Sequence, residues 1–293
     1  MAINYQQLME RPFPALEHTY SRRDAILYAL GIGLGSDPLD LGQLSFVYEE
    51  GLKALPTMAA VLGYPGFWAK EPDTGIDWRR LVHAEQSFVW HKPLAPEGRV
   101  VGHNRVSAIY DKGAAKGALL CQERKIVDAA TGELIVTAGQ VSMLRGDGGF
   151  GGPSGSPPPP HSIPERDPDA VCDLPTLPQA ALIYRLSGDF NPLHADPAVA
   201  RAAGFSRPIL HGMCLMGIAC HALLRALLAY DPAPLRSMRV RFTAPVMPGE
   251  TIRTEFWIDG SVVSFRSTVP ERNVIVLNAG RVDLCEGLPR QRQ

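Results

Sequence analysis

Residues 212–230, "GMCLMGIACHALLRALLAY", limit the fold more than any other stretch of this chain. The run reads as one helix closed by Asp231 and Pro232, and it is apolar on almost every face. Such a helix has no solvent side, so it either spans a bilayer or is enclosed by protein. His221 and Arg225 lie in its middle, and ionisable groups are costly at that depth of a membrane. The helix therefore calls for a wall that wraps it.

The rest of the chain supplies strands for that wall. "SMRVRFTAPV", "TIRTEFWI", "SVVSFRSTV" and "NVIVLNAGRVDL" alternate, are rich in β-formers and are separated by turn signals. Earlier come "EQSFVWHKPL", "RVVGHNRVSAIYDKG", "ALLCQERKIVDAATGE" and "LIVTAGQVSML", with "DKG" and "ATGE" as hairpin turns. Antiparallel sheet is the expected pairing.

One segment interrupts the pattern. "GDGGFGGPSGSPPPPHSIPERDPDA" (146–170) is too rich in Gly and Pro for a central strand or a helix interior, and reads as an extended connection. The pieces on either side echo each other in order. "YALGIG" (28–33) pairs with "YRLSGD" (184–189), "KPLAPEGRV" (92–100) with "APVMPGETI" (244–252), and "AGQVSML" (138–144) with "AGRVDL" (279–284). A duplicated unit is expected: residues 1–150, a linker at 151–170, and residues 171–293. Each half becomes a sheet curled around a helix, the first half's candidate being "LKALPTMAAVLGY" (52–64).

Bulk properties exclude some functions. The net charge is −1 with both signs mixed throughout, which argues against a nucleic-acid or membrane-surface binder. Five scattered cysteines without a CxxC pair fit a reducing cytoplasm better than a disulfide framework or a zinc ribbon. The first residues show no apolar signal-peptide region, and the final "LPRQRQ" is not a peroxisomal address.

Chemistry concentrates in "YRLSGDFNPLHADP" (184–197). Asp189, Asn191 and His194 surround Pro192, whose fixed backbone makes a rigid turn. A carboxylate and an imidazole aimed at one point can hold a water and take its proton, and an amide can orient it. Asp196 before Pro197 reads as the N-cap of a short helix. Downstream, His211 and Gly212 stand where the apolar helix begins. Its first N–H groups lack intrahelical partners, so the Gly212 amide is a candidate oxyanion donor, while His211 reads as a helix-start hydrogen bonder. A metal site built from Asp189, His194, Asp196 and His211 competes, without a supporting ligand spacing. Cys214 as a nucleophile is weaker, since it lies in an apolar helix.

The segments "YRLSGDFNPLHADP" and "AGFSRPILHGMC" resemble the hydratase 2 motif of the MaoC-like (R)-specific enoyl-CoA hydratases. The likeness extends to "FVYEEGLKALPT" (46–57), "LVHAEQSFVWHKPL" (81–94), "DKG", "GGFGG" and "RFTAPVMPGET" (241–251), as in two-domain members of that family. The resemblance implies an α+β double hot-dog fold, two antiparallel sheets each wrapped around a central helix. It implies a hydro-lyase adding water reversibly, with syn geometry, to a trans-2-enoyl-CoA to give a (3R)-3-hydroxyacyl-CoA. By motif position, Asp189 and His194 activate the water, Asn191 supports the geometry and Gly212 N–H binds the thioester oxygen. Tyr184, Glu49, His83 and Glu85 match motif positions as supporting hydrogen bonders, although Glu50 directly after Glu49 leaves open which acid matters. "YALGIG" is followed by no Asp, Asn or His, so the first half is expected to be catalytically silent and to hold the acyl chain. No cofactor or metal is implied beyond the CoA of the substrate, and a cytoplasmic homodimer is expected. A hot-dog thioesterase and a non-catalytic acyl-CoA-binding subunit stay open as alternatives.

Overall fold

The computed structural model describes residues 3–286. The hexapeptide "LPRQRQ" considered above lies outside them, as do Met1 and Ala2. The first half contains α1 (Tyr5–Met9), β1 (Leu16–Tyr20), α2 (Arg22–Gly31), α3 (Leu41–Leu44), β2 (Leu81–Trp90), β3 (Gly98–Asp111), β4 (Ala118–Asp128) and β5 (Leu134–Leu144). The second contains β6 (Ala170–Pro175), α4 (Ala180–Tyr184), α5 (Pro197–Ala202), α6 (Gly212–Leu227), β7 (Leu235–Phe242), β8 (Thr251–Asp259), β9 (Val262–Val269) and β10 (Val274–Leu284).

The strands form one antiparallel sheet in the order β1-β3-β4-β5-β2-β7-β10-β9-β8-β6. Each half contributes five strands in the same spatial order, with β1 matching β6 and β2 matching β7. The sequence echoes fall at equivalent places: the PxxP segments lead into β3 and β8, and "AGQVSML" and "AGRVDL" end β5 and β10. "YALGIG" closes α2 and "YRLSGD" leaves α4, two helices that pack on each other. Their tyrosines, Tyr28 and Tyr184, are both fully buried with ring centroids 5.7 Å apart. The fold is an α+β double hot-dog.

Two expectations are corrected. The sheets of the two halves are not separate. β2 pairs with β7 from Glu85 opposite Arg241 to Val89 opposite Ser237, which removes an open edge from each half. The first half also lacks a long central helix. Residues 52–64 give only a 3₁₀ turn at Pro56–Ala60, because Pro56 offers no N–H and Gly63 adopts φ 57°.

The second half keeps its helix. Every residue of α6 from Cys214 to Leu224 is buried, as its apolar circumference requires. The helix ends at Leu227, earlier than the sequence pattern suggests, and Ala229 and Tyr230 reverse the chain at φ 45° and 59°. The "DKG" hairpin joins β3 to β4, and Asp111 within it accepts amides of Gly113, Gly149 and Gly151. That contact ties "GGFGG" to the hairpin before the connection runs on to β6.

One close approach shapes the surface over the first half. Gly63 and Gly102 touch backbone to backbone, and a Cβ on Gly102 would lie 2.3 Å from the Gly63 carbonyl oxygen. Asn104 also donates to that oxygen at 3.2 Å. The contact fixes the loop carrying Tyr64 and Pro65 over β3. Gly102→Ala is expected to lower stability by about 1–3 kcal/mol, through an overpacking strain that backbone cannot relieve. Thermal melts of the two proteins check it: an unchanged Tm would contradict the contact.

Candidate active site

The polar loop is rigid because each of its groups has a local task. After α4 the chain makes a 3₁₀ turn at Arg185–Ser187, and Gly188 turns it with φ 121°, a value that favours glycine. The Asp189 carboxylate then accepts the Asn191 amide at 3.2 Å. The Asn191 carboxamide oxygen accepts the Leu193 amide and caps the 3₁₀ turn Pro192–His194. Asp196 caps α5 through the Ala198 amide at 2.7 Å. Asp189 and His194 therefore sit at the two ends of a short capped turn.

His211, the N-cap residue of α6, completes the cluster. Asp189, His194 and His211 each offer one atom within 4.8 Å of the others. His194 and His211 stack with ring centroids 3.8 Å apart and planes 27° from parallel. Both are buried, at 9% and 1% exposure. The Ile209 carbonyl lies 2.9 Å from His194 Nδ1, so the neutral ring donates there and leaves Nε2 as its free base nitrogen. His211 Nε2 faces the Asp189 carbonyl oxygen at 3.2 Å.

Burial holds both imidazoles neutral. It lowers the His194 pKa, against smaller opposing effects from the Ile209 carbonyl and Asp189. It brings His211 down to about 4, helped by the neighbouring His194. A neutral His194 whose Nε2 is not otherwise engaged can accept a proton at neutral pH. Asp189, His194 and His211 come close enough to share one small ligand, and Asp196 is absent from the cluster.

The cluster lies at the start of α6, where the Gly212 amide is the first N–H of the helix and has no carbonyl of its own turn to bond. A Cβ on Gly212 would sit 3.3 Å from the Phe242 ring, so glycine lets the helix start lie against that ring. His83 in turn packs edge-on against Phe242 with centroids 4.9 Å apart. Its Nε2 faces the Glu85 carbonyl at 3.2 Å, and burial lowers its pKa to about 4. Tyr184 packs on His211 with centroids 5.0 Å apart.

Three supporting residues behave otherwise than the sequence suggests. Tyr184 packs its buried ring between Tyr28 and His211, with its hydroxyl out of contact with solvent. Glu85 sits on the seam of the sheet and accepts from Arg241 Nε at 3.0 Å, joining β2 to β7. Glu49 is exposed in the turn after α3; Phe46 is the buried anchor of that segment, which leaves Tyr48, Glu49 and Glu50 outward.

A cleft partly open to solvent runs from Asp189 into the first half. Tyr184, Gly188, Asp189 and Met213 line one end, and Tyr64, Gln86, Asn104, Gln122, Arg124 and Gln140 the other. The sequence reading missed these first-half residues. A signal for them existed: on β4, Leu120, Gln122, Arg124 and Ile126 share one phase of the alternation, so two polar residues occupy core-facing positions.

Comparison with known proteins matches both halves. Residues 18–146 match the family described as the MFE-2 hydratase 2 N-terminal domain, and residues 160–279 the MaoC like domain. The peroxisomal enoyl-CoA hydratase 2 of Arabidopsis thaliana is 37% identical, with 96% of each chain covered. The 3-hydroxyacyl-thioester dehydratase Y of Mycobacterium tuberculosis is 40% identical, over 92% of this chain and 94% of that one. The crystal structure of a MaoC-like dehydratase from Phytophthora capsici superposes with a TM-score of 0.85 at 34% identity, covering 97% of this chain and 99% of that one.

The buried histidines make a prediction. Burial leads the lowering of His83, His194, His211 and His221, the last also to about 4. Their folded pKa values lie below those of the unfolded chain, so the unfolded state binds more protons as pH falls. This contribution is full above about pH 6.5 and is lost as pH drops toward about 4. Thermal melts across that window should show a plateau near neutrality and a progressive fall in Tm below it; a rise on acidification would contradict the assignment.

Proposed function

The chain belongs to the MaoC-like dehydratase family, in its two-domain hydratase 2 form, and we propose that it is an (R)-specific 2-enoyl-CoA hydratase. The reaction adds water reversibly to a trans-2-enoyl-CoA and gives a (3R)-3-hydroxyacyl-CoA. One observation carries this reading: a carboxylate and a neutral, oriented imidazole converge at the N-terminus of the buried helix, where a cleft opens.

The geometry suggests the order of events. Asp189 and His194 hold one water. His194 Nε2 takes its proton as the hydroxyl adds to C3, because Nδ1 is committed to Ile209. Negative charge develops on the thioester oxygen, and the Gly212 amide with the positive end of α6 stabilises it. The proton then passes to C2 on the same face, which gives syn addition. His211 keeps Asp189 and His194 in place through its stack and its hydrogen bond, and Asn191 holds the turn. His83 supports Phe242 beside Gly212. No cofactor beyond the CoA of the substrate takes part in this scheme.

The first half holds the acyl chain and has no catalytic set of its own. Its "YALGIG" lacks the polar residues of the second copy, and its shortened central helix leaves the space that the cleft occupies. We place the enzyme in fatty-acyl metabolism of the β-oxidation type, as a homodimer by its likeness to the family and in the cytoplasm by its scattered cysteines, although the Arabidopsis relative is named as peroxisomal. The cysteines of the described residues are free, which fits a reducing compartment. No helix among the described residues is long and apolar enough to cross a membrane.

Adding the protein to a trans-2-enoyl-CoA should remove the absorbance of the conjugated thioester without releasing free thiol, and chiral analysis should give the 3R product. Thiol release would favour the thioesterase instead. Asp189→Asn should lower kcat by about 10²–10⁴ with an unchanged thermal melt, the usual scale of acid–base assistance. Full activity in that variant would overturn the mechanism. Dialysis against a chelator should leave the rate unchanged, whereas a loss restored by a divalent metal would assign the Asp189, His194 and His211 cluster to metal binding.

A further inference from the structure

The floor of the cleft is polar where a pocket for an alkyl chain has no need to be. Gln86 on β2 lies opposite Gln140 on β5, and Gln140 opposite Gln122 on β4, so three carboxamides form one row across the sheet. Asn104 on β3 lies opposite Arg124. These residues line the cleft that reaches Asp189. Along β4, Leu120 belongs to a small apolar core around Trp68, and Ile126 to the main core. Gln122 and Arg124 fill the interval between them.

Arg124 is the least expected of these groups. It is only 8% exposed. Its Nη2 donates to the carbonyls of Ala59 at 3.2 Å and Ala60 at 2.8 Å, which end the 3₁₀ turn of the first half. Among the described residues its Nε and Nη1 have no partner. The Tyr64 ring lies 5.4 Å from the guanidinium and offsets part of the charge. Among the described residues no carboxylate pairs with Arg124, and the adjacent Glu123 is bound to Arg105 at 2.9 Å. Burial lowers the Arg124 pKa only to about 10, so the group stays a cation at neutral pH. A buried guanidinium with two free donors and no counter-ion is unfavourable until an anion arrives. Nε and Nη1 lie on opposite sides of the guanidinium, so each can offer a single charge-assisted hydrogen bond to an anion.

We infer that the cleft selects an acyl group carrying a carboxylate remote from the thioester, bound by the Arg124 guanidinium with Gln86, Gln122, Gln140 and Asn104 around it. The substrate class is then the CoA thioester of a dicarboxylic 2-enoic acid. The inference rests on the hydratase reading, since the thioester must reach Gly212. The shortened first-half helix makes the space, and the charge it leaves uncovered sets the preference.

The test compares pairs of trans-2-enoyl-CoA substrates of equal chain length, one ending in a methyl group and one in a carboxylate, over a series of lengths. At one length or more the wild-type kcat/KM should favour the carboxylate by about 10- to 100-fold, the worth of a charge-assisted hydrogen bond. Arg124→Met should collapse that ratio to near one, and Arg124→Lys should keep part of it. Loss of the Ala59 and Ala60 contacts or of general stability would lower both substrates together and leave the ratio, as would a role for Arg124 in holding the CoA phosphates; a retained ratio therefore overturns the inference. So does a wild-type enzyme that hydrates both substrates without preference at every length, an outcome that needs no variant to fold and leaves the hydratase reading intact. If neither substrate turns over, the hydratase reading fails. Calorimetric binding of the saturated carboxylate-ended and methyl-ended acyl-CoAs then decides the inference alone: equal affinities sink it, and tighter carboxylate binding upholds it.

Discussion

The rest of the architecture depends on removing α6 from water. A helix apolar around its whole circumference is stable only when every side is covered, and one sheet covers one side. The doubled sheet, the packing of α2 on α4 and the Tyr28–Tyr184 contact complete that enclosure. Closing the sides leaves the helix ends as its accessible parts. The N-terminal end carries unbonded N–H groups with partial positive charge, so the same enclosure that buries the helix also points an anion-binding element at the cleft.

The two halves share a strand order and differ in what fills it. In the second half α6 packs against the sheet with side chains of ordinary core character. In the first half Pro56 and Gly63 break the equivalent segment, and the short turn Pro56–Ala60 covers only part of the inner face. Trp90 donates to the Pro56 carbonyl and Arg124 to Ala59 and Ala60, so the turn is held in place although it is short. The space left beside it is the cleft. In the proposed mechanism, loss of a helix in one copy and retention of the polar loop in the other are complementary: one provides volume, the other chemistry.

Much of this was legible in the sequence because it rests on local rules. Asp196 followed by Pro197 announced its helix, "DKG" and "ATGE" announced their hairpins, and the apolar run announced the enclosure. The paired echoes announced the repeated strand order. Other features depend on contacts between distant residues. That β2 meets β7 edge to edge, turning Glu85 from a site candidate into a seam residue, follows from sheet closure and not from the local pattern. Glu49 illustrates a different limit. Its motif position was readable, but the burial of Phe46 turns the acid outward in this chain.

The polar floor of the cleft is legible from the same alternation that marks the strands. Alternation also assigns each residue to a face. Once Leu120 and Ile126 mark the inner face of β4, Gln122 and Arg124 must share it, since side chains two apart project to the same side. The same step puts Gln86 with Phe88 and Trp90 on β2, and Gln140 with Val136 and Ala138 on β5. Polar residues in the core phase of three adjacent strands are too costly to be incidental packing. They identify an inner surface that is not core, and in a fold whose second half is filled by a helix, they locate the half that is not.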